Sequence, residues 1–543
     1  MSAETHTDSR QDATVTGEKS APVQQITHED TEDWGPFGHP LFDSPDARAL
    51  ERVGVVDVGS NSVRLVIFDG AARSPAYFYN EKIMCGLGSG LSETGKLNPE
   101  GRARALAALK RFKVLADGLL PEPLTIVATA AVRDATDGQD FCDEVLRETG
   151  QKVNVIDGHE EARLSAQGVL LGWPGAQGLI CDIGGSSMEL AELRDGTIGR
   201  CVTSGLGPLK LRDIKGGRRG RKKAISETVA ELRDHMAGCE GERLFLVGGS
   251  WRAIARIDMH RRGYPMTVMH EYRMTSGDVR ATVKYIEEHD LEKLRSDCGI
   301  SAGRMALVPY AMYVLARVVR EFHPRDIAIS SYGIREGLLY EQMPDRLRER
   351  DPLVEASRFA EAKDARVPGF GKVLYDFVKP LFGKPPLTKS RLIKAACLLH
   401  DVNWRAHPDY RADLCFDTAT RANLGGLKHS ERVYLGLALM HRYRNKRKGT
   451  RYQDFFDLLP EPQQQEAEIL GKAMRFGAML MGSTEQGIGA LQWQPRKRVL
   501  HVELSGSGAV LYSEVAAARL KSLAAALGAE EVRLKIDGKL VTD

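Results

Sequence analysis

The fold of this chain is decided by the stretch VVDVGSNSVRL, residues 55–65, whose pattern returns in ICDIGGSSMEL, residues 180–190. Each stretch has an apolar run, then Asp, one apolar residue, Gly and small polar residues, and then a second apolar run. The apolar runs predict buried β-strands, and the small residues between them predict a tight turn. We therefore expect two hairpins, in which Gly59, Gly184 and Gly185 let the backbone turn sharply.

Both predicted turns are suited to binding phosphate. Glycines leave backbone N–H groups open, and an array of free N–H groups with hydroxyls is a cradle for phosphate oxygens. Asp57 and Asp182, at the ends of the first strands, are placed to reach a Mg²⁺ that neutralises phosphate charge. Two ordinary glycine turns are the alternative interpretation. The repeat at one constant spacing favours two related lobes with a phosphate cleft between them.

The order Asp-x-Gly-Ser-Asn-Ser and then Asp-x-Gly-Gly-x-Ser resembles the exopolyphosphatase and guanosine pentaphosphate phosphohydrolase family. That family belongs to the sugar kinase, heat-shock chaperone ATPase and actin superfamily. Further matching motifs span roughly residues 51–345, and more weakly the region to about 490. The resemblance implies an α/β core of two ribonuclease H-like lobes, followed by an all-helical HD-like domain and a small C-terminal α/β piece.

The length of 543 residues is too great for one hydrophobic core, so several domains are expected. The predicted order is a disordered acidic tail at 1–50, an N-terminal lobe at 51–164, a second lobe at 165–345, a helical HD-like domain at 346–490 and a small α/β domain at 491–543.

Composition indicates a soluble globular protein, with 42% hydrophobic and 27% charged residues. A formal net charge of +3 creates no global field that would dictate a nucleic-acid partner. None of the eight cysteines forms a C-x-x-C pair, so we expect reduced thiols in the cytoplasm rather than a zinc site or disulfide framework. Neither a secretory signal nor an 18-residue apolar run is visible, so no membrane span is expected.

The candidate catalytic base is Glu161. Asp157 is predicted to cap a helix, with Glu160 three residues later completing a capping box. That role explains Glu160 but leaves Glu161 without a structural purpose, apart from that of a solvated helix carboxylate. The motif Glu-Glu-Ala-Arg-Leu at residues 160–164 resembles a family motif whose second glutamate is the catalytic base. The resemblance therefore implies that Glu161 deprotonates the attacking water.

Further motifs add expected phosphate ligands. Thr129 and Arg133 come from an Ala-Thr-x-x-x-Arg motif where a strand meets a helix start, a place that suits anions, although a surface cation is the alternative for Arg133. Ser186 stands where the family usually has a third glycine, so its side chain is expected beside the phosphates. The predicted phosphate-binding residues are Gly59, Ser60, Asn61, Ser62, Arg64, Thr129, Arg133, Gly184, Gly185, Ser186 and Ser187.

Two motifs belong to the second lobe. Gly248, Gly249 and Ser250 resemble the family's Gly-Thr-Ser or Gly-Ala-Ser turn, which lies on the nucleotide side of the site in the superfamily. The stretch 333–337 matches the Gly-x-Arg-Glu-Gly ending that closes the two-lobed core.

Two basic stretches are predicted to form a polyphosphate channel. Solvated faces without a ligand are the alternative, and aromatic residues beside the second stretch also suggest single-stranded nucleic acid. The phosphate motifs make a polyphosphate chain the preferred ligand. The predicted channel residues are Arg218, Arg219, Arg221, Lys222 and Lys223 in the first stretch, and Arg442, Arg444, Lys446, Arg447 and Lys448 in the second.

The pair His400-Asp401 resembles an HD-type helical domain, whose metal site needs further histidines. No histidine lies between His323 and His400, so the usual upstream ligand is missing and we interpret this domain as structural.

Together these residues predict an exopolyphosphatase that releases orthophosphate from inorganic polyphosphate with Mg²⁺ or Mn²⁺ as cofactor. The alternatives are a guanosine pentaphosphate 5′-phosphohydrolase, a sugar kinase or chaperone-like ATPase, and a non-catalytic regulator that binds guanosine pentaphosphate or tetraphosphate. A homodimer is expected, with no nucleic-acid or membrane partner.

Overall fold

A computed structural model describes residues 35–38, 52–69, 73–120, 123–446, 449–482, 489–506 and 508–541. Residues 35–38 belong to a separate unit, Met1–His39, and contain one turn of 3₁₀-helix at Gly35–Phe37. The rest of the acidic tail predicted at 1–50 lies outside the described residues. Within the part of the chain that is described, no helix is long and apolar enough to cross a membrane.

The first lobe is a five-stranded sheet with strand order β3-β2-β1-β4-β5, in which β1 pairs antiparallel with β2 and parallel with β4. Helices cover its faces. Its strands are β1 Val53–Val58, β2 Ser62–Phe68, β3 Tyr77–Met84, β4 Thr125–Ala128 and β5 Val153–Val155, and its helices are α1 Leu91–Thr94, α2 Pro99–Leu119, α3 Ala130–Asp134 and α4 Gly138–Thr149, followed by α5 Gly158–Gly172.

The second lobe repeats this plan in a six-stranded sheet of order β10-β11-β9-β6-β7-β8. Here β6 pairs antiparallel with β7 and parallel with β9. Its strands are β6 Gly178–Ile183, β7 Met188–Arg194, β8 Thr197–Ser204, β9 Leu244–Gly248, β10 Arg273–Met274 and β11 Ile327–Ile329, and its helices are α6 Pro208–Asp213, α7 Gly217–His235, α8 Gly249–Arg261, α9 Ser276–Glu288, α10 Leu291–Asp297, α11 Ala302–Met305, α12 Val308–Phe322 and α13 Ile334–Glu341.

The two predicted hairpins are confirmed, and they share one register. Asp57 pairs with Arg64 across β1 and β2, and Asp182 pairs with Glu189 across β6 and β7, so each turn encloses the same number of residues. β1 and β6 are apolar on both faces because each sheet is covered by helices on both sides. This is the two-lobed α/β architecture that the family resemblance implies.

Helix α5 connects the lobes because it packs against both sheets. Ala162 and Val169 join the core beside β6, whereas Leu164 and Leu171 join the core beside β1. The expected lobe boundary at residue 164 therefore falls inside one continuous helix.

Helix α13 packs closely against α5. A Cβ at Gly337 would lie 1.9 Å from the Leu164 carbonyl oxygen, so only glycine allows this approach. At the start of α13, buried Glu336 accepts hydrogen bonds from the Gly333 N–H at 2.8 Å and from the Tyr77 hydroxyl at 3.0 Å.

The C-terminal region is mainly helical and ends in a four-stranded sheet of order β12-β13-β14-β15. One hydrophobic cluster runs from Leu374 through Leu437 to Leu500, so the helices and this sheet share a core. The elements are α14 Asp345–Arg348, α15 Pro352–Asp364, α16 Phe370–Val378, a 3₁₀-helix Lys379–Phe382, α17 Leu387–Leu399, α18 Pro408–Arg421, α19 His429–His441, α20 Gln453–Phe456, α21 Glu461–Met481, β12 Gly489–Gln494, β13 Val499–Leu504, α22 Gly508–Leu511, α23 Glu514–Leu527, β14 Glu531–Ile536 and β15 Lys539–Leu540.

The His400-Asp401 pair lies inside this helical core. Burial lowers the pKa of His400 to about 4, and Asp401 accepts two hydrogen bonds from Arg366 at 2.6 and 2.7 Å. No group of three or more His, Cys, Asp or Glu side chains that could hold a metal occurs among the described residues. The pair is therefore engaged in internal contacts of the helical region.

Candidate active site

The predicted site residues converge on a cleft of about 230 Å³ between the two hairpins. The first lobe contributes the β1–β2 turn, and the second contributes the β6–β7 turn and the start of α8. The predicted residues that line the cleft are Asp57, Gly59, Ser60, Asn61, Ser62, Arg64, Thr129, Glu161, Asp182, Gly184, Gly185, Ser187, Gly248, Gly249 and Ser250.

The two hairpin turns are built in the same way. The Gly59 N–H donates to the Ser62 carbonyl at 3.1 Å, and the Gly184 N–H donates to the Ser187 carbonyl at 3.0 Å. Each bond joins the first and the last residue of a four-residue turn, and the two middle residues lie beyond it. Each turn also accepts a hydrogen bond from another segment of the chain. The Ser60 carbonyl accepts from the Gly88 N–H at 2.8 Å, and the Gly185 carbonyl accepts from the Leu209 N–H at 2.9 Å.

The sequence predicts Ser186 beside the phosphates, but its side chain does not line the cleft. Its hydroxyl donates to the Ser60 hydroxyl at 3.1 Å, and both side chains are buried. The extra side chain in the second turn therefore joins the two hairpins to each other. A buried hydroxyl needs such a partner, because leaving it unpaired away from water costs free energy.

Glu161 lies in the first turn of α5 and is 5% exposed. As predicted, Asp157 caps this helix, with its carboxylate accepting from the Glu160 N–H at 2.8 Å. The Glu160 carboxylate accepts from the Arg163 guanidinium at 2.7 Å and forms no capping box. Glu160 thus forms an ion pair with Arg163 on the helix surface, whereas Glu161 faces the cleft.

Burial raises the pKa of Glu161 to about 8, and the Asp182 charge adds to the shift. Arg133 opposes it by donating to Glu161 Oε2 at 3.3 Å. Arg133 also donates to the Ile156 carbonyl at 3.1 Å, which fixes the guanidinium behind the carboxylate rather than in the cleft lining. A carboxylate with a pKa near neutrality is suited to accept a proton from water.

Another buried carboxyl group, which the sequence did not single out, lies near Glu161. Glu189 is 1% exposed, stands opposite Asp182 across the β6–β7 pair and accepts from the Thr203 hydroxyl at 3.0 Å. Burial, together with the charges of Glu161 and Asp182, raises the pKa of Glu189 well above its ordinary value. Its place on an alternating strand pattern gave no signal of a functional environment.

By their chemistry, Asp57 and Asp182 could hold a divalent cation, and the space beside Asp182 is open. Arg335 donates to Asp57 Oδ2 at 2.8 Å, and the Ser165 hydroxyl donates to Asp182 Oδ2. A Cβ at Gly248, whose φ is +114°, would lie 3.2 Å from Asp182 Oδ1, so glycine keeps the space beside this oxygen open. One or two carboxylates with substrate phosphates are a usual ligand set for Mg²⁺.

Four cationic side chains in the cleft lining were not predicted as site residues. Arg335 belongs to the quoted Gly-x-Arg-Glu-Gly motif and Arg252 follows the Gly-Gly-Ser turn, so their motifs offered a signal. Lys82 and Arg304 lie in no motif. The four residues are Lys82 on β3, Arg252 on α8, Arg304 on α11 and Arg335 on α13.

These cations repel one another. Burial and the nearby Arg304 charge lower the pKa of Arg252 to about 10. Burial lowers the pKa of Lys82 to about 8, with further contributions from Arg304, Arg64 and other arginines. The Arg304 guanidinium packs against the Gly249 backbone, where a Cβ would come within 2.8 Å of it. These four side chains, which we call the cationic wall, therefore concentrate positive charge in the cleft.

The two basic stretches differ in structure. The first, Arg218–Lys223, occupies the start of α7 and is mostly exposed. In the second, Arg442 is buried against the Tyr443 ring, and burial lowers its pKa, because the end of α19 packs into the helical core. Arg444 lies 3.5 Å from Asp413, Lys446 is exposed, and Arg447 and Lys448 lie outside the described residues. Arg442, predicted as a residue of the polyphosphate channel, is thus a buried side chain of the helical region.

Comparison with known proteins identifies relatives of this chain. The chain is 25% identical over 441 residues to "Retrograde regulation protein 2" of Saccharomyces cerevisiae, covering 72% of each chain. It is 26% identical over 325 residues to "Exopolyphosphatase 1" of Mycobacterium tuberculosis, covering 56% of this chain and 92% of the relative. The solved structure of an exopolyphosphatase from Cytophaga hutchinsonii is similar at a TM-score of 0.50 and 25% identity, covering 54% of this chain and 98% of the other.

Family profiles match both parts of the chain. Residues 382–534 match the profile "Exopolyphosphatase, C-terminal". Residues 66–346, more than half of the chain, match the profile of the Ppx/GppA phosphatase family. This match takes in the second hairpin, Glu161 and the cationic wall. The chain belongs to the Ppx/GppA phosphatase family.

Proposed function

We propose that this phosphatase-family protein is an exopolyphosphatase, which hydrolyses the terminal phosphoanhydride bond of inorganic polyphosphate and releases orthophosphate. The observation that carries the proposal is the charge of the cleft. Five cationic side chains line it against three carboxylates: Arg64, Lys82, Arg252, Arg304 and Arg335 against Asp57, Glu161 and Asp182. A chain of phosphates supplies the missing negative charge at successive positions.

The lining also supports a substrate without a nucleobase. Its apolar members among the described residues are aliphatic, such as Met84, Val247 and Leu307, with no aromatic ring on which a purine would stack. Stacking on aromatic side chains is a common way for proteins to hold an extruded base. The cleft therefore favours inorganic polyphosphate over guanosine pentaphosphate. The Gly248–Ser250 turn in the lining keeps the nucleotide as the second candidate.

In the proposed reaction, the terminal phosphate sits between the two hairpin turns, whose amides and hydroxyls hold its oxygens. Glu161, held by Arg133, accepts a proton from a water molecule as the water oxygen attacks the terminal phosphorus in line. The bond from phosphorus to the bridging oxygen breaks, and the shortened chain leaves with the bond electrons on that oxygen. Arg252 and Arg304 stabilise the charge that develops on the leaving chain.

Asp57 and Asp182 are the residues that would hold Mg²⁺ or Mn²⁺. When bound, such an ion supplies positive charge that neutralises the phosphate oxygens and the leaving group. Catalysis by this site is then mainly positioning and charge stabilisation, as in other phosphoryl transfers.

The test is phosphate release from long-chain polyphosphate, tripolyphosphate and guanosine pentaphosphate, run side by side on the purified full-length protein with Mg²⁺. The proposal expects the highest kcat/KM on polyphosphate. A higher value on guanosine pentaphosphate would contradict it and favour the nucleotide phosphohydrolase. Tight binding of the nucleotide without any turnover would indicate a regulator, an outcome that the presence of Glu161 and both aspartates argues against.

A further inference from the structure

Three arginine side chains meet in the C-terminal region, and none of them lines the cleft. They are Arg442, which follows α19, Arg475 on α21 and Arg519 on α23. Burial lowers the pKa of Arg475, and the charges of Arg519 and Arg442 lower it further, so the three guanidinium groups are close enough to repel one another. We call these three residues the C-terminal arginine triad.

The packing of three helices brings the triad together. Gly471 on α21 approaches α19 so closely that a Cβ would come within 2.4 Å of an α19 carbonyl oxygen, and Arg475 lies one turn further along the same face of α21. Helix α23 reaches the segment after α19, where the Ser522 hydroxyl donates to Asn445 Oδ1 at 2.8 Å. Arg519 precedes Ser522 by three residues, so it lies on the same side of α23.

The triad has no counter-ion of its own. Among the described residues, none of its members forms an ion pair, and the Nε atoms of Arg442 and Arg519 are buried without a hydrogen-bond partner. Arg442 is 9% exposed and contacts the Tyr443 ring at 4.8 Å. The charge of Asp401 reaches Arg442, but its carboxylate accepts two hydrogen bonds from Arg366. Burying an unpaired cation costs free energy, so the arrangement calls for an anion.

The chemistry of the triad fits a phosphate group. Each guanidinium presents paired N–H donors that match two oxygens of a carboxylate or a phosphate. The two oxygens of a carboxylate lie in one plane, whereas the oxygens of a phosphate point in several directions and can meet donors that come from three elements. A phosphate monoester also carries about 1.5–2 negative charges at pH 7, which offsets more of the triad's charge.

We propose that the C-terminal arginine triad binds a phosphate group, supplied as inorganic phosphate or as a phosphate monoester, at a site separate from the cleft. The bound group holds the end of α19 to α21 and α23 by charge-assisted hydrogen bonds. The inference goes beyond the proposed function and does not depend on which substrate the cleft hydrolyses.

The test compares R475Q/R519Q with R496Q/K521Q, a control of equal charge change whose two residues are exposed and lie in the same region. Equilibrium dialysis with radiolabelled inorganic phosphate, at constant ionic strength, counts the phosphates bound to each full-length chain. Wild type and control should bind one phosphate that R475Q/R519Q binds at least about tenfold more weakly, because charge-assisted hydrogen bonds are lost. The cleft variant Arg304→Gln should keep this phosphate.

Thermal unfolding separates a ligand site from a structural role of the arginines. In phosphate-free buffer, R475Q/R519Q should unfold at a temperature no lower than that of the control, because the substitution relieves repulsion. Added phosphate should raise the Tm of wild type and control more than that of R475Q/R519Q, since only the first two bind it at the triad. A Tm of R475Q/R519Q below that of the control without phosphate would make the charges structural and overturn the proposal.

Competition distinguishes the two sources of the phosphate group. Displacement of labelled phosphate by glucose 6-phosphate at a lower concentration than by unlabelled phosphate would indicate a monoester, and the reverse order would indicate inorganic phosphate. Equal phosphate binding by wild type and R475Q/R519Q would overturn the proposal. So would a loss confined to long-chain polyphosphate, because the triad would then belong to the path of a polymeric substrate.

Discussion

Replacing Glu161 by glutamine is the sharpest test of the active site, because the structure separates the chemistry of this residue from its packing. Glutamine keeps the shape of the side chain and retains a carbonyl oxygen that can accept from Arg133, which now donates at 3.3 Å. What is lost is the capacity to accept a proton from water. We therefore expect turnover to fall while the fold and the binding of polyphosphate persist.

The expected loss in kcat is about 10²- to 10⁴-fold, the usual value of a positioned general base, which corresponds to roughly 3–5 kcal/mol of transition-state stabilisation. The free energy of unfolding, in contrast, should be higher for Glu161→Gln than for the wild type. Because burial raises the pKa of Glu161 to about 8, the folded protein binds a proton more tightly than the unfolded chain between the ordinary value of 4.5 and about 8. The free energy of unfolding contributed by this group falls as the pH rises through that window, and the neutral glutamine avoids the loss.

The assay measures phosphate release from tripolyphosphate and thermal unfolding, both as a function of pH. Wild-type kcat/KM should rise with pH as Glu161 becomes ionised, and the Tm advantage of Glu161→Gln should grow between pH 4.5 and 8. The matched control is Glu160→Gln, which alters a neighbouring helix carboxylate paired with Arg163 and should leave kcat within about twofold. A Glu161→Gln protein that keeps more than about a tenth of the wild-type rate would refute the general-base assignment.

Three further predictions follow from the same geometry. Removal of divalent ions by a chelator should abolish phosphate release, with Mg²⁺ or Mn²⁺ restoring it, and full activity after exhaustive chelation would contradict the role of Asp57 and Asp182. Arg304→Gln should lower kcat/KM for tripolyphosphate at least about tenfold, as expected for one lost charge-assisted contact, whereas an unchanged kcat/KM would remove Arg304 from the site. Burial lowers the pKa of His270 to about 3 and of His429 to about 4, so below pH 6.5 the unfolded chain binds protons that the folded protein does not bind. The urea midpoint should therefore drop as the pH falls from about 6.5 to 4, and a flat profile would show that these histidines are not buried as neutral groups.

The parts of the site that could be predicted are those encoded by local sequence. A hairpin needs only two apolar runs and a turn, and both turns lie where the Gly and Ser residues place them. The cap at Asp157 is likewise a contact between residues three positions apart. Because the hairpins carry Asp57 and Asp182, and the capped helix carries Glu161, the expected catalytic residues meet once the two lobes close on α5.

The parts that escaped prediction depend on contacts between distant segments. Ser186 bonds to Ser60 across the two lobes, a contact that neither turn reveals alone. Arg442 follows the last residue of α19, a helix buried on nearly all sides, and only the packing of this helix decides whether the Arg442 side chain faces solvent or the core. Glu160 pairs with Arg163 because a strong cation three residues away competes with the capping bond.

The cationic wall shows why residues that escape prediction from sequence are informative about function. Lys82, Arg252 and Arg304 come from three separate elements, and the fold brings them together although their mutual repulsion and burial disfavour their charged forms. A protein selected only for stability would not assemble such a cluster, because each buried like charge costs free energy. The cost is offset when a polyanion enters, since the same cations then form charge-assisted bonds with its oxygens. The unfavourable electrostatics of the free protein and its proposed affinity for polyphosphate are therefore two consequences of one arrangement.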